Sequence, residues 1–240
     1  MRLLMIAILS FSPALMSQAT PCSSPTTTIT ALRLAHEITL DARHPDPAWA
    51  KATPVVFCAD WRGNNADPAR QTEVRALWTP QTLYLHFDCH YRELFVFEDS
   101  DPNGRRDHLW DRDVAEAFLQ PDPSQPHHYK EFEVSPNAQW IDLDIGPSNS
   151  EREEPPRDLK SGLVRSVYLD KERSIWEAEL AIPMRALTTS FNPKTAWRAN
   201  FFRVEGRREP RFYSAWQPTK TAEPNFHVPE VFGYLKFIEK

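Results

Sequence analysis

The stretch LYLHFDCHY, Leu83–Tyr91, places apolar and polar side chains at alternate positions. Successive side chains of a β-strand point to opposite faces, so this period of two predicts a strand with one buried face. The same pattern recurs, between turn-forming residues, in TEVRALW (Thr72–Trp78), DVAEAFLQ (Asp113–Gln120), YKEFEV (Tyr129–Val134), QWIDLDI (Gln139–Ile145), LVRSVYL (Leu163–Leu169), IWEAELAI (Ile175–Ile182), AWRANFFRV (Ala196–Val204) and VFGYLKFI (Val231–Ile238).

Helical segments are few and short. The chain has 22 prolines and 6 glycines, and prolines at this density interrupt any long helix. Only Asp46–Ala52 and Ile182–Leu187 are predicted to be helical, the second with Pro183 in its first turn. Many strands without alternating helices predict an all-β fold, an antiparallel β-sandwich that forms one domain over residues 32–240.

The N-terminus has the features of an export signal. Residues 1–19 read MRLLMIAILSFSPALMSQA, with one charge at Arg2, an apolar run, and the small residues Ser17 and Ala19 before the expected cleavage point. Residues 20–31, rich in Pro, Ser and Thr, are predicted to form an exposed leader. Cleavage would leave a secreted or periplasmic protein. Outside the signal no apolar run approaches the roughly 20 residues of a membrane span, so we expect no membrane association.

Charge and cysteine content limit the partners further. The chain has 28 basic and 33 acidic residues, a net charge of −5, and no basic cluster, so nucleic acid is not an expected partner. We expect a monomer. Export permits disulfides. The alternatives are a Cys58–Cys89 disulfide and two buried thiols, with Cys22 as the free cysteine. The absence of CxxC and HxxxH spacings argues against structural zinc.

The acidic stretch DHLWDRDVAEAFLQPD, 107–122, invites a catalytic interpretation. In a strand, Asp111 and Asp113 share one face, whereas Glu116 lies on the other with Val114 and Phe118. Glycosidic hydrolysis needs two carboxyl groups that converge on one bond, and Asp113 and Glu116 cannot do so. Glu116, between apolar neighbours, is instead predicted to be half-buried, either in contact with a ligand or in an internal ion pair.

The segment EDSDPNGRRD, Glu98–Asp107, resembles the first half of a calcium loop. Oxygen donors alternate there before Gly104, and the candidate ligands are Asp99, Asp101, Asn103 and Asp107. The twelfth position of the loop, however, is Trp110 rather than a bidentate glutamate. The alternatives are a structural calcium site and an ordinary acidic turn.

Three tryptophans, Trp61, Trp110 and Trp216, lie beside turn signals rather than inside alternating runs. Exposed rings next to polar residues are suited to stacking on a sugar ring, although they also occur at protein interfaces. His227, between two prolines, is a further candidate for the binding site.

The order of several motifs resembles the family 9 carbohydrate-binding modules, and especially the family 9-like exported proteins. The similarity covers Ile38–Ile238. The motifs that carry it are LWTPQTLYLHFDC, LWDRDVAEAFLQPD, YKEFEVSPNAQWIDL, WEAELAIP, WRANFFRVEG and SAWQPTKTAEPNFHVPEVFGYLKF. The resemblance implies an immunoglobulin-like or jelly-roll β-sandwich that binds sugar between two aromatic rings without cleaving it, and that carries structural calcium but no organic cofactor.

The resemblance also implies roles for individual residues. Trp110 corresponds to the first stacking ring, Phe226 stands where the family has the second, and Glu116 corresponds to the hydrogen-bonding carboxylate. Glu133 replaces an arginine of the family, and Arg203 is a candidate compensating cation. The expected carbohydrate-binding residues are Trp110, Glu116, Glu133, Arg203, Trp216, Asn225, Phe226 and His227, and the expected ligand is a mono- or oligosaccharide such as the end of a plant-type polysaccharide.

Three other functions remain open. Related sandwich domains bind haem, for which Met184 is the one methionine outside the signal. A glycoside hydrolase would use Glu116 and Glu133 as its carboxyl pair. A family member that has lost its ligand would serve as an interaction domain, and the glutamate at position 133 is compatible with that loss.

Overall fold

The computed structural model describes residues 26–98, 101–146 and 157–239. Three sequence predictions concern residues outside these ranges: the signal peptide, the free thiol at Cys22, and Asp99 of the calcium loop. Over the described residues no helix has the length and hydropathy that crossing a membrane requires.

The described ranges form an all-β structure, as the alternating runs predict. Its strands are β1 (Thr28–Arg33), β2 (Val55–Phe57), β3 (Thr72–Trp78), β4 (Thr82–His90), β5 (Val114–Gln120), β6 (Tyr129–Val134), β7 (Trp140–Ile145), β8 (Arg157–Asp158), β9 (Val164–Asp170), β10 (Ile175–Pro183), β11 (Trp197–Glu205), β12 (Phe212–Ala215) and β13 (Gly233–Ile238). The two predicted helical segments form a 3₁₀ helix, Pro47–Lys51, and the short helix α1, Met184–Leu187.

Hydrogen bonds join the strands in the order β8-β7-β6-β5-β11-β13-β1-β3-β4-β10-β9, with β12 beside β11 and β2 beside β3. The sheet curls into a β-sandwich. Most neighbouring strands are antiparallel, but β1 pairs in parallel with both β13 and β3. β1 therefore joins the two halves of the sheet.

The predicted leader is wrong over its last residues. Residues 28–31 belong to β1, where Ile29 and Ala31 are buried in the core. The sequence there, TITALR, alternates over a short run that follows the polar leader without a turn signal. Burial against β13 and β3, which is a tertiary effect, decides its conformation.

Two apolar clusters lie on opposite faces of the sheet half that contains β5 and β11. The main core contains Ala115 and Phe201 and packs against Trp78 and Trp176 of the other half. The second cluster contains Phe118, Tyr129, Phe202 and Phe226 and is covered by loops. We call this second, loop-covered side the outer face.

The cysteines pair differently from the sequence prediction. Cys89 is a fully buried free thiol, and Cys58 is disulfide-bonded. Both alternatives from the sequence, a Cys58–Cys89 disulfide and two buried thiols, are therefore wrong. Cys89 lies on the apolar face of β4, in the main core, where a thiol packs as a small apolar side chain.

Candidate functional site

Strand register brings three glutamates together on the outer face. Glu116 of β5 lies directly opposite Glu133 of β6. Glu131 is two residues before Glu133 on the same strand, so both side chains point to the same face. One carboxylate oxygen from each of the three residues lies within 4.8 Å of the others. We call Glu116, Glu131 and Glu133 the carboxylate cluster.

The carboxylate cluster is buried and lacks hydrogen-bond donors. Glu116 and Glu131 are each 3% exposed and Glu133 is 0% exposed. Both carboxylate oxygens of Glu133 and one of Glu131 have no hydrogen-bond partner. Burial, followed by repulsion from the other glutamates, raises the pKa of Glu116 and of Glu133 well above the ordinary value. Such groups favour either a bound proton or a bound cation.

Arg211 is a cation beside the cluster, and its hydrogen bonds go to backbone carbonyl groups rather than to the three glutamates. Its Nε donates to the carbonyl oxygen of Gly206 at 2.8 Å, and its Nη1 donates to the carbonyl oxygen of Trp110 at 3.0 Å. Its Nη2 lies 3.5 Å from Asp113. The positive charge opposes the rise in the pKa of Glu116, but Arg211 also balances Asp113.

Asp113 positions this arginine from the opposite side of the strand. Its two carboxylate oxygens accept the backbone N–H groups of Gly206, at 2.8 Å, and Phe95, at 2.9 Å. The side chain is fully buried. Asp113 therefore supports the site from behind rather than lining it.

Trp110 lies on a short 3₁₀ turn, Leu109–Asp111, just before β5. Leu109 is buried in the outer-face cluster and anchors the turn, while the Trp110 ring is half-buried and lies against His108 with ring centroids 4.8 Å apart. The hydrogen bond from Arg211 fixes the backbone of Trp110. Trp110 thus forms one wall of the site, and contacts to its backbone and from its neighbours hold it in place.

The loop before β13 forms another wall of the site. Phe226 is 8% exposed and stacks on Phe202, with ring centroids 4.2 Å apart. Asn225 accepts the backbone N–H of His227 at 3.0 Å, and Tyr129 Oη is hydrogen-bonded to His227 Nδ1 at 2.6 Å. These contacts tie the loop to the strands beneath it.

These walls and the cluster enclose an open pocket of about 310 Å³, within the size range of small-ligand sites. Its lining residues are Trp110, Asp111, Glu116, Glu131, Glu133, Leu143, Val204, Arg211, Tyr213, Pro224, Asn225, Phe226 and His227. We call this the outer-face pocket. Six of the eight predicted carbohydrate-binding residues are among them.

The two other predicted residues, Trp216 and Arg203, lie elsewhere. Trp216 is 4% exposed and packs in the main core, with its ring centroid 5.6 Å from that of Phe201. Arg203 follows Phe202 on β11 and therefore points to the opposite face, where its guanidinium lies 5.1 Å from the ring centroid of Trp176. Arg203 does not compensate the carboxylate cluster.

The pocket also contains residues that the sequence analysis missed. Glu131 could have been found, because it has the same strand parity as Glu133. Arg211 lies just before β12 and Tyr213 lies on it, and this strand is too short to show periodicity. Their position follows from the pairing of β12 with β11.

The acidic turn offers its carboxylates to protein donors. Asp101 Oδ1 accepts the backbone N–H of Asn103 at 2.9 Å, and Asp107 pairs with Arg105 at 2.7 Å. A calcium ion there would compete with Arg105, so these residues do not form a ready ligand set. Calcium at this turn stays a prediction.

Met184, the methionine considered for haem, begins α1 and is 3% exposed within the main core. It is not among the residues that line the outer-face pocket.

Comparison with known proteins gives a consistent result. The sequence profile of carbohydrate-binding family 9 matches residues 53–237, more than half of the chain. An "Extracellular protein" of Arthroderma benhamiae is 27% identical over 182 residues, which cover 71% of this chain and 80% of that protein.

Solved structures show the same fold. A candidate carbohydrate-binding protein of Bacteroides uniformis superposes with a TM-score of 0.69 at 15% identity, covering 88% of this chain and 99% of that one. A family 9 carbohydrate-binding module of Caldicellulosiruptor kristjanssonii, in complex with cellotriose, superposes with a TM-score of 0.63 at 14% identity, covering 89% and 94%. The same kind of module is also solved with glucose.

Proposed function

The chain belongs to carbohydrate-binding family 9, and we propose that it is an exported, non-catalytic protein that binds a mono- or oligosaccharide in the outer-face pocket. One observation carries this proposal. A ring on each wall, Trp110 and Phe226, lines the same pocket as the buried carboxylate of Glu116. Apolar walls with a few polar groups at the floor are the usual form of a small-ligand site.

The two rings have unequal roles in this proposal. Phe226 has one face against Phe202 and is almost fully buried, so it offers a limited surface to a ligand. Trp110 is half-buried and larger. Trp110 therefore supplies most of the stacking area, and Phe226 limits the width of the pocket.

Hydrogen bonds to sugar hydroxyls come from the floor and from the loop. Carboxylate oxygens of the cluster accept from hydroxyls, and the Asn225 amide can both donate and accept. The family 9 modules solved with cellotriose and with glucose support a ligand of this class. The N-terminal signal and the extracellular relative support export to the periplasm or the medium, and sugar capture there would serve carbohydrate catabolism.

Isothermal titration calorimetry of the mature protein with glucose, cellobiose and xylo-oligosaccharides tests the proposal. We expect binding with at least one sugar, weakened about 5- to 30-fold by Trp110→Ala, since ring stacking in a binding site is worth about 1–2 kcal/mol. Trp61→Ala is the matched control, because Trp61 is also half-buried but donates its Nε1 to Thr221 outside the pocket.

Two results would contradict the proposal. The absence of heat with every sugar at millimolar concentration would argue for an interaction domain without a sugar ligand. Hydrolysis of aryl glycosides that Glu116→Gln abolishes would make the protein an enzyme. Export is tested separately, by finding the processed protein in the periplasmic or extracellular fraction of the cells that make it.

A further inference from the structure

Three buried carboxylates share a small volume on the floor of the outer-face pocket, and the protein supplies little to stabilise them. The oxygens of Glu133 have no hydrogen-bond partner although its side chain is 0% exposed and lines the pocket. One oxygen of Glu131 is in the same state. Unpaired buried polar atoms are costly, and they usually mark a missing partner.

Nearby charges do not provide that partner. Arg211 acts on Glu116 but pairs with Asp113. Asp111, at the pocket rim, adds further negative potential to Glu133. Lys130 immediately precedes Glu131 on β6, so its side chain points to the other side of the sheet, where it binds Asp144. The cluster thus retains an excess of negative charge.

We propose that Glu116, Glu131 and Glu133 bind a calcium ion on the floor of the outer-face pocket. All three candidate ligands are carboxylate oxygens, which suit hard cations. Two oxygens that share a Ca²⁺ ion at about 2.3–2.6 Å lie at most about 5 Å apart, and the three oxygens here lie within 4.8 Å of one another. His227 is not needed as a ligand, since its Nδ1 is bonded to Tyr129.

The open side of the pocket completes the coordination. Calcium takes about six to eight oxygen ligands, and three carboxylates alone leave positions for water. The same pocket is lined by Trp110 and Phe226. If the proposed sugar binding holds, vicinal sugar hydroxyls replace those waters, so that the ion and the rings bind the same ligand. Calcium binding itself does not depend on the sugar.

The experiment uses the mature protein, stripped with EDTA and titrated with CaCl₂ alone by calorimetry. We expect binding that Glu133→Gln weakens by about 100-fold or more, because affinity follows the number of charged ligands. Glu179→Gln is the matched control: Glu179 is also 0% exposed, but lies on β10 and accepts the backbone N–H of Asp41 at 2.7 Å. This control should bind calcium like the wild type.

A second readout separates ion binding from a structural role. In EDTA, Glu133→Gln should raise the melting temperature, since it removes repulsion. Calcium should raise the melting temperature of the wild type but not that of Glu133→Gln. If the carboxylate were needed only for folding, its replacement would lower the melting temperature both with and without calcium. Terbium bound at the cluster should also emit on excitation of the tryptophans, and Trp110→Phe should reduce that emission because Trp110 lines the same pocket.

Three outcomes would overturn the proposal. One is the absence of calcium binding by the wild type. Another is calcium binding that Asp101→Asn abolishes and Glu133→Gln leaves intact, which would place the ion at the acidic turn. The third is that calcium-free protein binds glucosamine but not glucose, and that CaCl₂ does not change this binding. Such a result would show that the carboxylates bind an ammonium group. Sugar titrations with and without calcium show separately whether sugar binding fails.

Discussion

Replacing Arg211 by methionine should destabilise the protein strongly, because this side chain links three parts of the site. It donates to the carbonyl oxygens of Gly206 and Trp110 and lies 3.5 Å from the buried carboxylate of Asp113. Hydrogen bonds to a charged group contribute about 1.5–3 kcal/mol each. Removing one partner of a buried ion pair costs about 3–5 kcal/mol. These contributions overlap, so we expect a loss of about 3–5 kcal/mol in the free energy of unfolding.

Equilibrium unfolding in urea measures this loss. With a slope of about 2 kcal/mol per molar urea, the midpoint should fall by about 1.5–2.5 M. Arg207→Met is the matched control, because Arg207 is an exposed arginine on the same loop, and it should change stability by less than about 0.5 kcal/mol. A loss below 1 kcal/mol for Arg211→Met, or equal losses for both variants, would refute the argument.

Three further predictions concern other parts of the molecule. Gly233→Ala should cost about 1–3 kcal/mol in urea unfolding, since its Cβ would lie 2.6 Å from Cη2 of Trp216; an unchanged midpoint would show that the neighbours can move. The raised pKa of Glu133 means that the folded protein holds a proton that the unfolded chain loses near its ordinary value of 4.5. The bound proton therefore contributes its full stabilisation below pH 4.5, and this stabilisation is lost as the pH rises through the raised pKa. In EDTA, lowering the pH from 8 to 5 should stabilise the wild type relative to Glu133→Gln. A difference in unfolding free energy between the two proteins that does not change with pH would contradict the raised pKa. Burial raises the pKa of Cys89 to about 12, so this thiol should react with Ellman's reagent at pH 8 only after unfolding, and rapid labelling of the native protein would refute its burial.

Alternation along single strands was sufficient to predict most of the sheet. The run Leu83–Tyr91 corresponds to β4, and Thr72–Trp78 coincides with β3. Short strands were missed because three or four residues carry too little periodicity, as in β2 and β12. In β1 the composition favoured a leader, and only burial between two other strands gives it its conformation.

The site was predictable to the extent that it depends on local pattern or on the family motifs. Strand parity separated Glu116 from Asp113, and the motif order placed Trp110 and Phe226 in one site. The proximity of Glu116 and Glu133 depends on the register between β5 and β6, which one sequence does not specify. Parity could have shown that Arg203 and Phe202 point to opposite faces, so the assignment of Arg203 to the site was avoidable.

The parallel pairing of β1 has a practical meaning for engineering. Among the described strands, β1 is the hydrogen-bonded link between the half that ends in β13 and the half that begins with β3. Removing the hexapeptide TITALR would expose two unpaired edges at once, and such edges invite aggregation. A chain that begins after Arg33 could then be completed by a synthetic copy of this peptide added in trans, which would make β1 the natural cut for a split version of the protein.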